Sequence, residues 1–166
     1  MKAIKEYFVN RKLQKLVNQK TAYMPIPEKI RCIGLLADSE SDFLVAKEAI
    51  RNHWGFQARL IGLFYDDQPQ RPLEGMSHRD FSIIGRPSAY FNEFLEEKPD
   101  FILVASINLN PYLRYLLHLK NNTFRIGFYN EINRSCLDLM VAHENEESRG
   151  NINNLIDYLN RINTPC

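Results

Sequence analysis

A chain of 166 residues, 45% apolar and 25% charged with a formal net charge of +1, has the size and composition of one compact domain. Surface-to-volume scaling has such a chain bury about 70% of its extended surface, enough for a core without disulfides or metal. Collagen-like, low-complexity, wholly disordered and rod-like chains are excluded.

The first element is a helix from Lys2 to Gln19, a stretch without Pro or Gly in which helix formers dominate. Its charges leave no apolar segment for a signal peptide. Ile4 and Phe8 share one face while Val9, Leu13 and Leu16 share another, a pattern that predicts contact with two surfaces or with a partner. Residues 1–31 hold eight Lys/Arg against Glu6 and Glu28, a charge of +6, whereas the remaining 135 residues carry −5. Such a segment can dock on its own body, on a second copy, or on an anionic partner. Thr21 to Pro27, with Pro25 and Pro27, reads as an extended connector. The expected division is therefore a basic helix and connector over 1–27 and one domain over 28–166.

The pattern then changes to short apolar runs alternating with amphipathic segments. Cys32 to Ala37 reads as a buried strand, Asp42 to His53 as a helix capped by Ser39 or Ser41 and ended by Gly55, and Arg59 to Tyr65 as a second strand. Asp66 to Arg79 is polar, holds Pro69, Pro72 and Gly75, and reads as a loop. Phe81 to Ile84 is a short expected strand, and Ser88 to Glu97 an expected helix. Phe101 to Ala105 is a continuous apolar strand, after which Asn110-Pro111 supplies an N-cap and a first-position Pro for a helix to about Leu119. Phe124 to Tyr129 and Leu137 to Ala142 follow as strands, and Asn151 to Asn160 as the terminal helix. Apolar strands alternating with helices predict an α/β, Rossmann-like three-layer sandwich with a largely parallel sheet of about six strands, preceded by a basic N-terminal helix.

Cys32, Cys136 and Cys166 are odd in number and far apart, without a CxxC pair, which points away from disulfides and zinc and toward a reducing, cytoplasmic compartment. The longest apolar runs are six residues, far too short to span a bilayer. The mixed faces of the first helix allow at most peripheral membrane contact. Known nucleic-acid-reading motifs are absent, so no specific nucleic acid is expected.

Ligands of open α/β sheets bind beyond the carboxyl ends of the strands, near a topological switch point. After the first strand the chain reads Ala37-Asp38-Ser39-Glu40-Ser41-Asp42, three carboxylates and no glycine, which disfavours NAD, FAD and P-loop phosphates. These acids either hold a divalent cation or, more simply, offset the helix dipole. Ser106 to Pro111 is the better anion site: a helix N-terminus with free N–H groups, Ser106, Asn108 and Asn110, with Arg114 one turn in and Arg86 across the sheet edge. The candidate ligand-binding residues are thus Asp38, Ser39, Arg86, Ser106, Asn108, Asn110 and Arg114. No catalytic residue, metal site or cofactor motif emerges. His143-x-x-Glu146 reads as an acidic turn rather than a metal pair.

Pro99-Asp100-Phe101-Ile102-Leu103-Val104-Ala105 through Asn110-Pro111, then Phe124-Arg125-Ile126-Gly127-Phe128, resembles a unit in the N-terminal half of bacterial heptosyltransferases. Over most of its length the chain also resembles a family of small uncharacterised bacterial proteins with a basic N-terminal helix and an Asp-Leu-Met-type strand, here Leu137-Asp138-Leu139-Met140-Val141. The second resemblance implies the Rossmann-like fold and no assigned activity. The first implies a ligand such as a nucleotide-sugar, although the C-terminal lobe that mainly binds it in those enzymes is not expected within these 166 residues. The resulting expectation is a non-catalytic interaction or binding module, acting through an unknown protein partner or self-association by the N-terminal helix. The alternative is an enzyme or sensor for a nucleotide-sugar or phosphate-containing ligand.

Overall fold

The computed structural model describes residues 1–19, 24–144 and 148–163. The helix α1 (Lys2–Val17) precedes an alternation of β1 (Cys32–Ala37), α2 (Glu40–Trp54), β2 (Arg59–Tyr65), β3 (Gly75–Met76), α3 (Asn92–Glu96), β4 (Phe101–Val104), α4 (Pro111–Leu119), β5 (Phe124–Phe128), β6 (Leu139–Val141) and α5 (Ser148–Asn163). The six strands form one sheet in the order β3-β2-β1-β4-β5-β6, every neighbouring pair parallel. This is the α/β, Rossmann-like sandwich that the alternation predicts. Of the expected connector, Thr21 to Tyr23 lies outside the described residues, and Met24 to Pro27 form no regular element.

A parallel sheet covered on both faces requires strands that are apolar throughout. β1 meets that requirement with Ile33 to Ala37 all buried, and β4 with all four of its residues. On one face, α2 and α5 pack Phe43, Ala46, Ile50, Ile152 and Leu155 against the sheet. On the other, Val9 and Leu13 of α1 join Phe94 of α3 and Leu113, Leu116 and Leu117 of α4 in one core. The basic helix therefore docks on its own body. Lys2 bridges to the Asp67 carboxylate (2.5 Å), Lys12 Nζ donates to the Gly85 carbonyl (3.2 Å), and Tyr112 donates to the Lys2 carbonyl (3.4 Å). Burial alone would raise the Asp67 pKa, but bonds from Lys2, His78 and Tyr65 overcome it and hold the value at about 2. No helix among the described residues is long and apolar enough to cross a membrane.

One expected strand is corrected. The third strand is not Phe81 to Ile84 but Gly75–Met76, inside the segment expected to be loop. Phe81 begins a tight hairpin instead: it bridges Pro87, Ser82 N–H donates to the Arg86 carbonyl, and Gly85 N–H donates to the Ser82 carbonyl. Phe81 enters the core against Phe91 and Tyr112, and the two isoleucines that follow turn outward. The expected helix from Ser88 is likewise shorter, a 3₁₀ turn over Ala89–Phe91 leading into α3.

Gly85 makes the hairpin fit. Its φ of 69° lies in the left-handed region, and an added Cβ would stand 2.9 Å from Val9 Cγ2 and 3.1 Å from the Val9 backbone nitrogen. Gly85→Ala is therefore expected to cost about 2 kcal/mol, combining backbone strain with a clash against the docked helix. Equilibrium urea unfolding measures the loss; an unchanged midpoint would show that hairpin and helix separate freely.

Candidate functional site

In this strand order the chain leaves β1 toward α2 on one face of the sheet and leaves β4 toward α4 on the other. The loops diverge there and open a crevice, as at switch points generally. The crevice has a volume of about 310 Å³. Asp38, Ser39 and Asp42 reach it from the start of α2, Ser106 to Asn108 from the end of β4, Phe128 from the end of β5, and Ser148 and Asn151 from the first turn of α5.

Its polar groups are locked to one another. The Asp38 N–H donates to Ser106 Oγ (2.8 Å), and Ser106 Oγ donates to Asp42 Oδ2 (2.6 Å). Asp42 Oδ1 accepts from Ser148 Oγ (2.9 Å), so one carboxylate ties β4 and α5 to α2. Asp38 Oδ1 accepts from both the backbone and side-chain nitrogens of Asn110, each at 2.8 Å. Asn108 Oδ1 accepts from Asn130 Nδ2 (2.6 Å). Asp38 and Asn108 both line the crevice, and among the described residues these bonds use Asp38 Oδ1 and Asn108 Oδ1, leaving Asp38 Oδ2 as an acceptor and Asn108 Nδ2 as a donor outside them.

The expected free N–H groups at the start of α4 are absent. Pro111 carries none, the N–H groups of Tyr112 and Leu113 both donate to Asn110 Oδ1 (3.0 and 3.1 Å), and Arg114 N–H donates to the Asn110 carbonyl (3.1 Å). Asn110 thus satisfies the whole first turn, and the Asp38 carboxylate occupies the position facing it. At the start of α2, Ser39 is the cap, accepting from Asp42 N–H (3.2 Å), with Glu40 and Asp42 as first-turn acids. Among the described residues no three His, Cys, Asp or Glu side chains converge as metal ligands.

Of the seven residues expected to bind a ligand, Asp38, Ser39, Ser106 and Asn108 line the crevice and Asn110 braces Asp38. The two arginines do not line it. Arg114 lies in the groove between α4 and α1, beside Leu13, Gln14 and Val17, where burial lowers its pKa and its Nε has no partner. Arg86 sits in the Phe81–Pro87 hairpin beside Phe8, Lys12 and Lys15. Sequence reasoning missed Ser148 and Asn151, because it began α5 at Asn151 and no local signal shows that α5 packs beside α2. Of the described cysteines, Cys32 and Cys136, neither lines the crevice; Cys136 is buried, and burial pushes its pKa up to about 11.

Sheet order and crevice together define a Rossmann-like α/β domain with a polar, acid-bearing switch point. The model of a family of unknown function (DUF6913) matches residues 5–162, and the chain belongs to that family. No curated protein and no solved structure matches it.

Proposed function

We propose that the chain is a non-catalytic binding module that holds a small hydroxyl- or amine-bearing molecule in the switch-point crevice. The observation that carries this reading is the charge of the lining: Asp38 and Asp42 reach the crevice, and no Lys, Arg or His does among the described residues. A carboxylate acceptor beside an amide donor suits hydroxyls and ammonium groups, whereas a phosphate there would face repulsion with no compensating cation. The Ser106 hydroxyl is engaged on both sides, by a backbone N–H and by Asp42, which favours a structural role over nucleophilic attack. The alternative enzyme or sensor for a nucleotide-sugar or other phosphate-bearing ligand rests on the heptosyltransferase-like stretch and lacks cationic support at the crevice.

A thermal-shift screen tests the reading, with sugars, amino sugars and small amines set against inorganic phosphate, nucleotides and nucleotide-sugars. A ligand at 100 times its Kd adds about 2.7 kcal/mol, a shift of several degrees for a domain of this size. The expected result is a saturable shift with a member of the first group that disappears in Asn108→Leu. A shift confined to phosphate compounds, or one indifferent to both Asn108→Leu and Asp38→Asn, would overturn it.

A further inference from the structure

Docking of α1 spends its inner face and leaves an outer face whose cations no acid answers among the described residues. Arg11, Lys12 and Lys15 converge with Arg86 of the Phe81–Pro87 hairpin around a groove of about 270 Å³ that Phe8 and Ile84 complete. Among the described residues none of the four forms an ion pair, although seven Lys/Arg–carboxylate pairs occur there. Lys12 donates only to the Gly85 carbonyl (3.2 Å), and its pKa is lowered, first by desolvation and then by Arg86. Like charges are thus held together by the fold.

The same hairpin carries an apolar tip. Ile83 and Ile84 are 52% and 44% exposed at a turn closed by the Gly85 N–H to Ser82 carbonyl bond, in which Arg86 N–H also donates to Ser82 Oγ (3.0 Å). The tip is braced from beneath by Val9 against Gly85. An exposed apolar projection beside a groove of cations that lack ion-pair partners matches the layered chemistry of one surface, anionic headgroups over acyl chains. A nucleic acid or acidic protein would use the cations but leave two isoleucines without a role.

From this combination we propose that the Arg11, Lys12, Lys15 and Arg86 cluster, with Ile83 and Ile84, is a docking surface for an anionic lipid bilayer. It lies apart from the crevice and does not depend on what the crevice holds. Near an anionic membrane each Lys or Arg strengthens binding about fivefold.

Co-sedimentation of the whole chain with vesicles of phosphatidylcholine containing 40% phosphatidylserine, and with phosphatidylcholine alone, tests the proposal. Binding is expected to the first only and to weaken as salt rises. Arg11→Glu/Lys15→Glu should reduce the partition coefficient about 25-fold or more. Ile83→Ser/Ile84→Ser should reduce it about tenfold while leaving a weaker, salt-sensitive component. All four residues are exposed, so unchanged melting temperatures are expected to accompany both losses. No binding to the phosphatidylserine vesicles, equal binding to both vesicles, or binding indifferent to the isoleucine pair would overturn the proposal. Binding of polyglutamate or RNA in place of vesicles would assign the cations to another partner and overturn it too.

Discussion

Asp138→Ala is expected to lower folding stability by about 3–5 kcal/mol, because it strands a charge that the fold has already buried. Arg125, the second residue of β5, has a side chain only 1% exposed and pairs with Asp138, itself 11% exposed. Asp138 Oδ2 accepts from both the backbone N–H of Arg125 (2.8 Å) and its Nε (3.1 Å), and Asp138 N–H donates back to the Arg125 carbonyl (2.8 Å). This mutual clasp sets the register of β6 on β5. Replacing both partners by apolar residues, Arg125→Met/Asp138→Leu, should restore the part of the loss owed to the stranded charge, while the Arg125 N–H still lacks its carboxylate acceptor. Urea midpoints of the two variants measure the difference at a comparable slope. Equal losses in both would assign the cost to packing and to the Arg125 N–H acceptor rather than to the stranded charge. The clasp also bears on the crevice, because β6 delivers the chain to α5, and α5 delivers Ser148 to Asp42.

The second large effect is a dependence on pH. His118 lies buried on α4, and desolvation, reinforced by Arg125 and Arg114, lowers its pKa from 6.5 to about 4. Between those values the unfolded chain binds a proton that the native protein refuses, so stability falls as pH drops through that interval. The loss amounts to about 1.4 kcal/mol per pH unit, or roughly 3 kcal/mol by pH 4. His118→Phe should flatten the pH dependence over this window. Urea unfolding of both proteins at pH 7 and pH 4.5 checks this; parallel declines would place the acid sensitivity elsewhere. Asp67 adds no slope to the pH dependence above about pH 4: its folded pKa of about 2 lies below the unfolded value of 3.8, so its stabilisation is fully present there and is lost only as pH falls toward 2.

Where neighbours in sequence make an element, the element was legible. The run Cys32–Ala37, the Ser39 cap, the Gly55 stop and the Asn110-Pro111 start all act within a few residues, and each stands where its chemistry puts it. β3 was not legible because two residues carry no periodicity, while Phe81 to Ile84 imitates a strand until Gly85 turns it back. The switch-point rule located Asp38, Ser39, Ser106 and Asn108, since it needs only strand ends. It failed for Arg86, whose hairpin is no strand end, and for Arg114, which α4 carries toward α1 instead of the crevice. Ser148 and the Lys12–Arg86 cluster depend on contacts between distant segments that no local pattern encodes.

The docking of α1 also sets a timetable. The carbonyl of Lys2 is held by Tyr112, 110 residues further along the chain. At about 5–20 residues per second, a ribosome makes the helix wait on the order of 5–20 s for the far side of its seat. Throughout that interval Val9 and Leu13, with the lysines beside them, are open to whatever the nascent chain meets.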